Sequence, residues 1–421
     1  MDRFKMTKQE KKWVLYDVGN SAFTLLIATI LPIYFNSLAG KAGLASEHYM
    51  AYWGYAASIT TLIVAILGPI FGTLADTKGY KKPIFLAALI VGVVGCVSLG
   101  FAKHWLIFLI IFVIAKVGYS SSLIFYDSML IDITDEDRMD QVSSRGYAWG
   151  YIGSCIPFII SLVIVLGAGS IGITMDTAMM IAFLITAVWW GVMTIPLMKE
   201  YQQKYYVEKK AHAFSETFKR LASTFKNIKK EKAAFLFLLA FFFYIDGVYT
   251  IIDMATAYGS ALGLDSTGLL LALLVTQIVA FPFALLFGYL SKKIESDKLI
   301  TVCIAAYFCI AVYAMFLQTQ FQFWVLAVCV GMFQGGIQAL SRSYFTKIIP
   351  AQQTGEFFGF LDICGKGAAF MGTTIVSTVT LITGKESLGV GMIAILFLIG
   401  MVLFRITVKE EIGRASCRER V

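Results

Sequence analysis

The sequence predicts an all-α membrane protein of twelve transmembrane helices arranged as two six-helix halves. Three observations carry this. The chain is apolar throughout, its apolar residues fall into twelve runs of spanning length, and one long basic stretch divides the runs six and six. Of 421 residues, 58% are hydrophobic and 15% charged, with a mean hydropathy of +0.76. A soluble domain is about 45–50% apolar and about 25% charged. The composition excludes a disordered, collagenous or disulfide-rich secreted chain. The seven Cys, at 96, 155, 303, 309, 329, 364 and 417, include no C-x-x-C pair, and all but Cys417 lie in apolar runs. They read as small core residues. His48, His104 and His212 read as loop residues, so no metal or other cofactor is expected.

The runs are 13–38, 50–74, 83–101, 104–130, 146–168, 177–198, 233–258, 266–290, 298–316, 321–346, 357–382 and 387–407. Each approaches the ~20 apolar residues that cross a bilayer. Barrel strands need only about 10 residues, of alternating polarity. Span 1 follows a basic tail, as a signal peptide would, but it is long and holds Asp17 and Asn20. Hydrophobic signal regions run to about 7–15 residues, so span 1 is expected to stay as a helix.

Thirty of the 35 Lys and Arg fall in the two tails and the even-numbered loops, while only Lys41, Lys103 and Lys385 fall in the odd ones. Basic loops face the cytoplasm. Both termini are therefore expected there, in a cell (plasma or inner) membrane, and the net charge of +8 needs no nucleic acid to explain it. Lys116 and Lys366 remain inside helices.

The expected organisation is a tail at 1–12, an N-terminal half at 13–198, a linker at 199–232, a C-terminal half at 233–407 and a tail at 408–421. In the linker, Phe214, Phe218, Leu221, Phe225 and Ile228 step by helical spacing among Lys and Arg, which predicts an amphipathic helix on the membrane surface. The last eleven residues, from Glu411, resemble vector read-through and are set aside. The halves echo each other: span 2 ends Gly72-Thr-Leu-Ala-Asp76 before Lys81-Lys82, and span 8 ends Gly288-Tyr-Leu-Ser291 before Lys292-Lys293. Duplicated halves with a site between them are a transporter plan.

Gly72-Thr-Leu-Ala-Asp-Thr-Lys-Gly-Tyr-Lys-Lys82 resembles the loop 2–3 signature of the major facilitator superfamily, G-x-L-x-D-x-x-G-R-[KR]-[KR], departing from it at Thr77 and Tyr80, where the family often has Arg. Gly72 would allow close helix packing, Gly79 a tight turn, and Lys81 and Lys82 an anchor on anionic lipid. The resemblance implies that Asp76 contacts the start of span 11 and steadies one conformational state. Four further stretches resemble the vacuole-effluxer-like branch of that superfamily. They are Trp13-Val-Leu-Tyr-Asp-Val-Gly-Asn-Ser-Ala-Phe23, Ser144-Arg-Gly-Tyr-Ala-Trp-Gly-Tyr-Ile-Gly153, Tyr244-Ile-Asp-Gly-Val-Tyr-Thr-Ile-Ile252 and Gly335-Gly-Ile-Gln-Ala-Leu-Ser-Arg-Ser-Tyr344. Fungal members of that branch are implicated in exporting amino acids from the vacuole. The resemblance also implies that spans 1, 4, 7 and 10 line a cavity and that spans 2, 5, 8 and 11 meet across the halves.

Ionisable groups inside a membrane are costly and mark pathways. In span 4, Lys116 and Asp127 lie eleven residues apart, about 20° off three full turns, and share a face. Span 7 carries Asp246, Thr250 and Asp253 on one stripe, with Tyr249 beside it. Span 1 carries Asp17 and Asn20, span 10 carries Gln334, Gln338 and Arg342, and span 11 carries Asp362 and Lys366 at pairing distance. Asp362–Lys366 and Lys116 read either as substrate ligands or as fixed pairs between helices, and Asp17 and Asp127 as interfacial or gating groups. Asp246 is the favoured proton carrier, because a low-dielectric site favours the neutral carboxyl. The expected function is a secondary transporter of small polar solutes, coupled to protons and most consistent with amino acids. Sugars, peptides, drugs and a non-transporting receptor remain alternatives. No G-x-x-x-x-G-K-[ST] ATPase motif is present and no nucleophile–base cluster suggests an enzyme. Substrate, protons and lipid are the expected partners of a monomer.

Overall fold

The computed structural model describes residues 4–44, 46–209, 213–226 and 231–418. Its helices are α1 (Lys8–Ala28), α2 (Ile30–Lys41), α3 (Ser46–Ala75), α4 (Lys81–Leu99), α5 (Trp105–Ser128), α6 (Leu130–Ile133), α7 (Met139–Leu166), α8 (Met175–Glu200), α9 (Ala213–Lys226), α10 (Lys232–Ala261), α11 (Ser266–Leu290), α12 (Ser296–Ala314), α13 (Gln320–Ile348), α14 (Thr354–Thr383) and α15 (Glu386–Arg418). Among the described residues, eleven helical stretches are long and apolar enough to cross a membrane. The 30-residue α14, with Glu356, Asp362 and Lys366 in its first half, completes the twelve by length. Spans 2–6 correspond to α3, α4, α5, α7 and α8, and spans 7–12 to α10–α15.

Span 1 is two helices. Pro32 lacks an N–H and its ring crowds the carbonyl of Ala28, four residues back, so the helix breaks at Thr29. α1 also begins earlier than hydropathy suggests. Thr7 accepts from the Glu10 amide while the Glu10 carboxylate accepts from the Thr7 amide, a reciprocal cap that starts the helix at Lys8. α7 likewise gains a polar first turn, from Met139, that hydropathy does not detect.

The polar chain end is helical too. α15 runs on to Arg418, with Glu410 paired to Lys232 at 2.7 Å and Glu411 accepting from the Tyr344 hydroxyl. Nothing after Gly384 breaks the helix, so residues 408–418 extend span 12 rather than forming a separate tail. His48 lies in the first turn of α3 rather than in a loop, and His212 lies outside the described residues.

Within the first half α1 packs on α7 and α8, and α4 on α5 and α8. Within the second half α10 packs on α14 and α15, and α11 on α13. The halves meet along α3 with α14 and along α7 with α11 and α13. The linker does not simply lie free on the surface. Its start pairs with the loop after α3, where Lys78 donates to Val207 O at 3.0 Å and Val207 donates to Asp76 O at 2.8 Å. α9 then packs against α3, with Thr217 buried and Phe218 exposed. Ile228 lies outside the described residues.

Candidate functional site

The loop after α3, the start of α7 and the ends of α11 and α13 share the face that carries the linker and both chain ends. We call it the basic side. The bridges that Arg342, Asp76 and Asp140 make between the halves lie there.

Arg342, on α13, is the centre of the first cluster. It is 4% exposed. Its guanidinium donates to Asp127 Oδ1 at 2.9 Å, to Asp17 Oδ2 at 3.3 Å, and to the hydroxyl and carbonyl of Ser143 at 2.9 and 3.0 Å. It stacks over Trp13 at 4.6 Å and Tyr147 at 4.4 Å. One C-half residue thus holds α1, α5 and α7 together. Arginine's planar, fixed fork suits several acceptors at once. Asp17 also accepts from Tyr126 OH at 2.8 Å and from Asn20 at 3.4 Å. Span-by-span reading of the sequence found Asp17, Asn20, Asp127 and Arg342. It missed Trp13, Ser143 and Tyr126, whose roles depend on which helices touch.

The second cluster lies where α3 meets α14. Asp76 accepts from the Gly355 amide at 2.8 Å and the Glu356 amide at 2.9 Å. A carboxylate at a helix N-terminus satisfies amides that have no partner in the helix. Gly72 permits the approach, since a methyl there would overlap the Gly355 carbonyl. Gly79 takes φ +79°, a left-handed turn that glycine adopts freely.

Lys81 is not a lipid anchor. It is completely buried and donates to Thr354 Oγ1 at 3.0 Å, Ser128 O at 3.3 Å and Asp132 Oδ2 at 3.5 Å. Asp132 in turn accepts from the Lys204 and Tyr205 amides and from Tyr201 OH. The compensating carboxylate at Asp132, 51 residues away, is what makes burial tolerable. Lys82, next in sequence, is only partly buried.

A third cluster, absent from the sequence reading, joins α7 to α12 and α13. Asp140 accepts from Lys347 at 2.7 Å and from the Ser343 and Ser296 hydroxyls at 2.6 Å each. Ser143 Oγ donates to Ala339 O at 2.7 Å.

The remaining candidates lie deeper, between the halves. Lys116 is half-buried, 5.5 Å above the Phe112 ring, and the charges of Asp253 and Lys366 act on it. Asp253 is exposed and has no hydrogen bond or ion pair among the described residues. Asp362 pairs with Lys366 on α14. Gln338, half-buried, accepts from Tyr151 OH at 3.5 Å, while Gln334 is buried and Tyr249 half-buried.

Asp246 does not line an open space. It is completely buried against α14, where Oδ1 accepts from the Gly372 amide at 2.9 Å and Thr250 Oγ1 at 3.2 Å, and Oδ2 has no hydrogen-bond partner among the described residues. Asp253, two turns away on the same stripe, is exposed. Lys116 and Asp127 share a face of α5, yet Asp127 belongs to the Arg342 cluster and Lys116 does not.

Among the described residues, twelve long helices in two contacting halves, with ionisable groups between them, make the fold of a major facilitator transporter. The chain belongs to the family described as vacuole effluxer Atg22-like, which matches residues 6–418. It is 45% identical over 415 residues to the uncharacterized MFS-type transporter YxiO of Bacillus subtilis, covering 97% of this chain and 96% of that one. It is 22% identical over 426 residues to autophagy-related protein 22 of Coccidioides immitis, covering 82% and 70%. The major facilitator transporter FucP in its outward conformation superposes with a TM-score of 0.73 at 12% identity, covering 95% and 97%. A bacterial homologue of the iron transporter ferroportin, in its outward-facing state, gives 0.67 at 13% identity, covering 96% and 98%.

Proposed function

We propose that this transporter moves small zwitterionic solutes of the amino-acid class, coupled to protons, across the cell membrane, with its basic side in the cytoplasm. The observation that carries the substrate class is the Lys116–Asp253 arrangement. A cation on the N-half and an anion on the C-half stand inside the membrane. Both are reachable, and neither has a hydrogen bond or ion pair among the described residues. Leaving such charges without partners is costly unless a ligand meets them. A zwitterion offers a carboxylate to Lys116 and an ammonium to Asp253. With Arg342, Asp76 and Asp140 bridging the halves on the basic side, the described state is closed there.

Asp246 is the proposed proton site. One oxygen is held by Gly372 and Thr250 while the other is buried with no hydrogen-bond partner among the described residues, the place a proton occupies. The test is uptake and counterflow of amino acids, sugars and peptides in proteoliposomes. Amino-acid counterflow lost in Lys116→Gln and Asp253→Asn, but kept in Asp246→Asn with loss of pH-driven accumulation, is the expected pattern. Counterflow of sugars or peptides alone would overturn the substrate class. Accumulation retained in Asp246→Asn would move the proton elsewhere.

A further inference from the structure

On the lipid side of α7, Arg145 heads a stripe that continues through Trp149, Ile156 and Val163, all three of them exposed. At eighteen residues' separation, Arg145 and Val163 are five whole turns apart, so they face the same way. On α11 the exposed stripe through Ile278 ends at Tyr289, with Lys292 and Lys293 just beyond. The stripes border each other, since the Trp149 ring lies 5.4 Å from Phe281 of α11. At the basic end, the Phe4 ring lies 4.2 Å from the Arg145 guanidinium and 5.4 Å from the Lys292 ammonium, and Lys293 sits 5.7 Å from the Tyr289 ring.

Positive charge is gathered here, and among the described residues Arg145, Lys292 and Lys293 make no ion pair. Glu10 is engaged by Arg138 and Thr134, Asp140 by Lys347 and two serines, and Glu295 by Lys298. The hydrogen bond that Arg145 makes goes to the Gln141 carbonyl, at 3.2 Å. An aromatic face attracts cations without neutralising them. Basic groups above interfacial aromatics, at the mouth of an apolar groove, fit an anionic headgroup over acyl chains.

We propose that the α7–α11 groove binds one anionic phospholipid, its phosphate between Arg145 of the N-half and Lys292–Lys293 of the C-half and its chains along Trp149 and Tyr289. Because the cations come from opposite halves, the lipid bridges them and favours the state closed on the basic side. The chemistry requires only a net negative headgroup, as in phosphatidylglycerol.

Native mass spectrometry of the full chain, with phosphatidylglycerol and phosphatidylcholine of identical acyl chains, tests this. Wild-type protein should retain phosphatidylglycerol preferentially. Arg145→Gln/Lys292→Gln/Lys293→Gln should lower that preference on the order of tenfold or more while leaving phosphatidylcholine retention unchanged. The exposed pair Lys292→Gln/Lys293→Gln, which disturbs no buried group, should lower it partway. Equal retention of the two lipids by wild type, an unchanged preference in both variants, or displacement of the lipid by millimolar inorganic phosphate would overturn the proposal.

Discussion

The two seams between the halves solve one problem with different materials. Along α3 and α14 the backbones touch. Gly68 meets Gly359 and Gly72 meets Gly355, and the polar bond is a carboxylate to helix amides. Along α7, α12 and α13 the bridge is made of side chains, Asp140 to Lys347, Ser343 and Ser296. The repeated loops show why. Where the first half has Asp76 four residues after Gly72, the second has Lys292 four residues after Gly288, and the acid that closes the second seam comes from the opposite partner, α7. A glycine seam closes in one register and tolerates little variation. A side-chain seam can lose one bond and keep others. Sequence duplication therefore gives similar contacts between helices without giving similar chemistry at them.

Arg342 lies between the seams, and its loss should disturb both most. Arg342→Met leaves Asp17 and Asp127 buried beside one another, at about 3–5 kcal/mol for breaking a buried pair. Spin labels at Lys78 and Lys298 should report a longer, broader distance across the basic side. An unchanged distance would show that the seams close without it.

Gly72→Ala should come next. The added methyl meets backbone, which cannot rotate away, and overpacking of this kind costs about 1–3 kcal/mol. The matched change Gly288→Ala places its methyl 2.7 Å from Ser144 Cβ, a lesser overlap than the 2.1 Å to the Gly355 carbonyl oxygen at Gly72, so its effect should be smaller. Equal loss of transport in the two variants would break the distinction between the seams.

Asp140→Asn should cost less, about 1–2 kcal/mol, because the amide oxygen can still accept from the Ser296 hydroxyl and Lys347, and the Ser343 hydroxyl retains the Ala339 carbonyl, while Lys347 loses its counter-charge. Its expected signature is faster opening of the basic side with substrate affinity unchanged.

The smallest effect is a pH dependence of the first seam. Burial pushes the Asp76 carboxyl up to about 7, against the pull of Lys81, the Glu356 and Gly355 amides and Arg220. When the seam opens, water returns the group towards an ordinary value of about 3.9. The closed state thus binds more protons between those values, and closure gains as pH falls below about 7. Between pH 7.5 and 6 the gain is about 1 kcal/mol. The label distance should shorten over that interval, and Asp76→Asn should flatten the response.

Much of this was legible in the chain. Hydropathy placed all twelve spans, and Asp17, Asp127 and Arg342 stood out as charges in apolar runs. The superfamily pattern pointed Asp76 at the start of span 11. What was not legible depends on register between distant helices. Lys81 sits at a helix start, where a lysine ordinarily reaches water, and only the fold brings Asp132 beneath it. Asp140 and Lys347 lie in polar helix ends that resemble any solvated loop. Asp246 and Asp253 share a stripe, and nothing local says that one is buried and the other exposed.

The docked linker has a mechanical consequence. Asp132 fixes residues 204 and 205 to the N-half, and Arg220 of α9 donates to Thr73 O at 3.2 Å on the same half. The leash from the end of α9 at Lys226 to the start of α10 at Lys232, in the C-half, is then only six residues of sequence long. At about 3.5 Å per residue it reaches no more than roughly 20 Å. Held so close, the halves face each other at a high effective concentration, falling only slowly with any slack. A leash this short limits how far the basic side can open and bars full separation of the halves. Lengthening it with a flexible insert would weaken reclosure without touching a single contact in either seam.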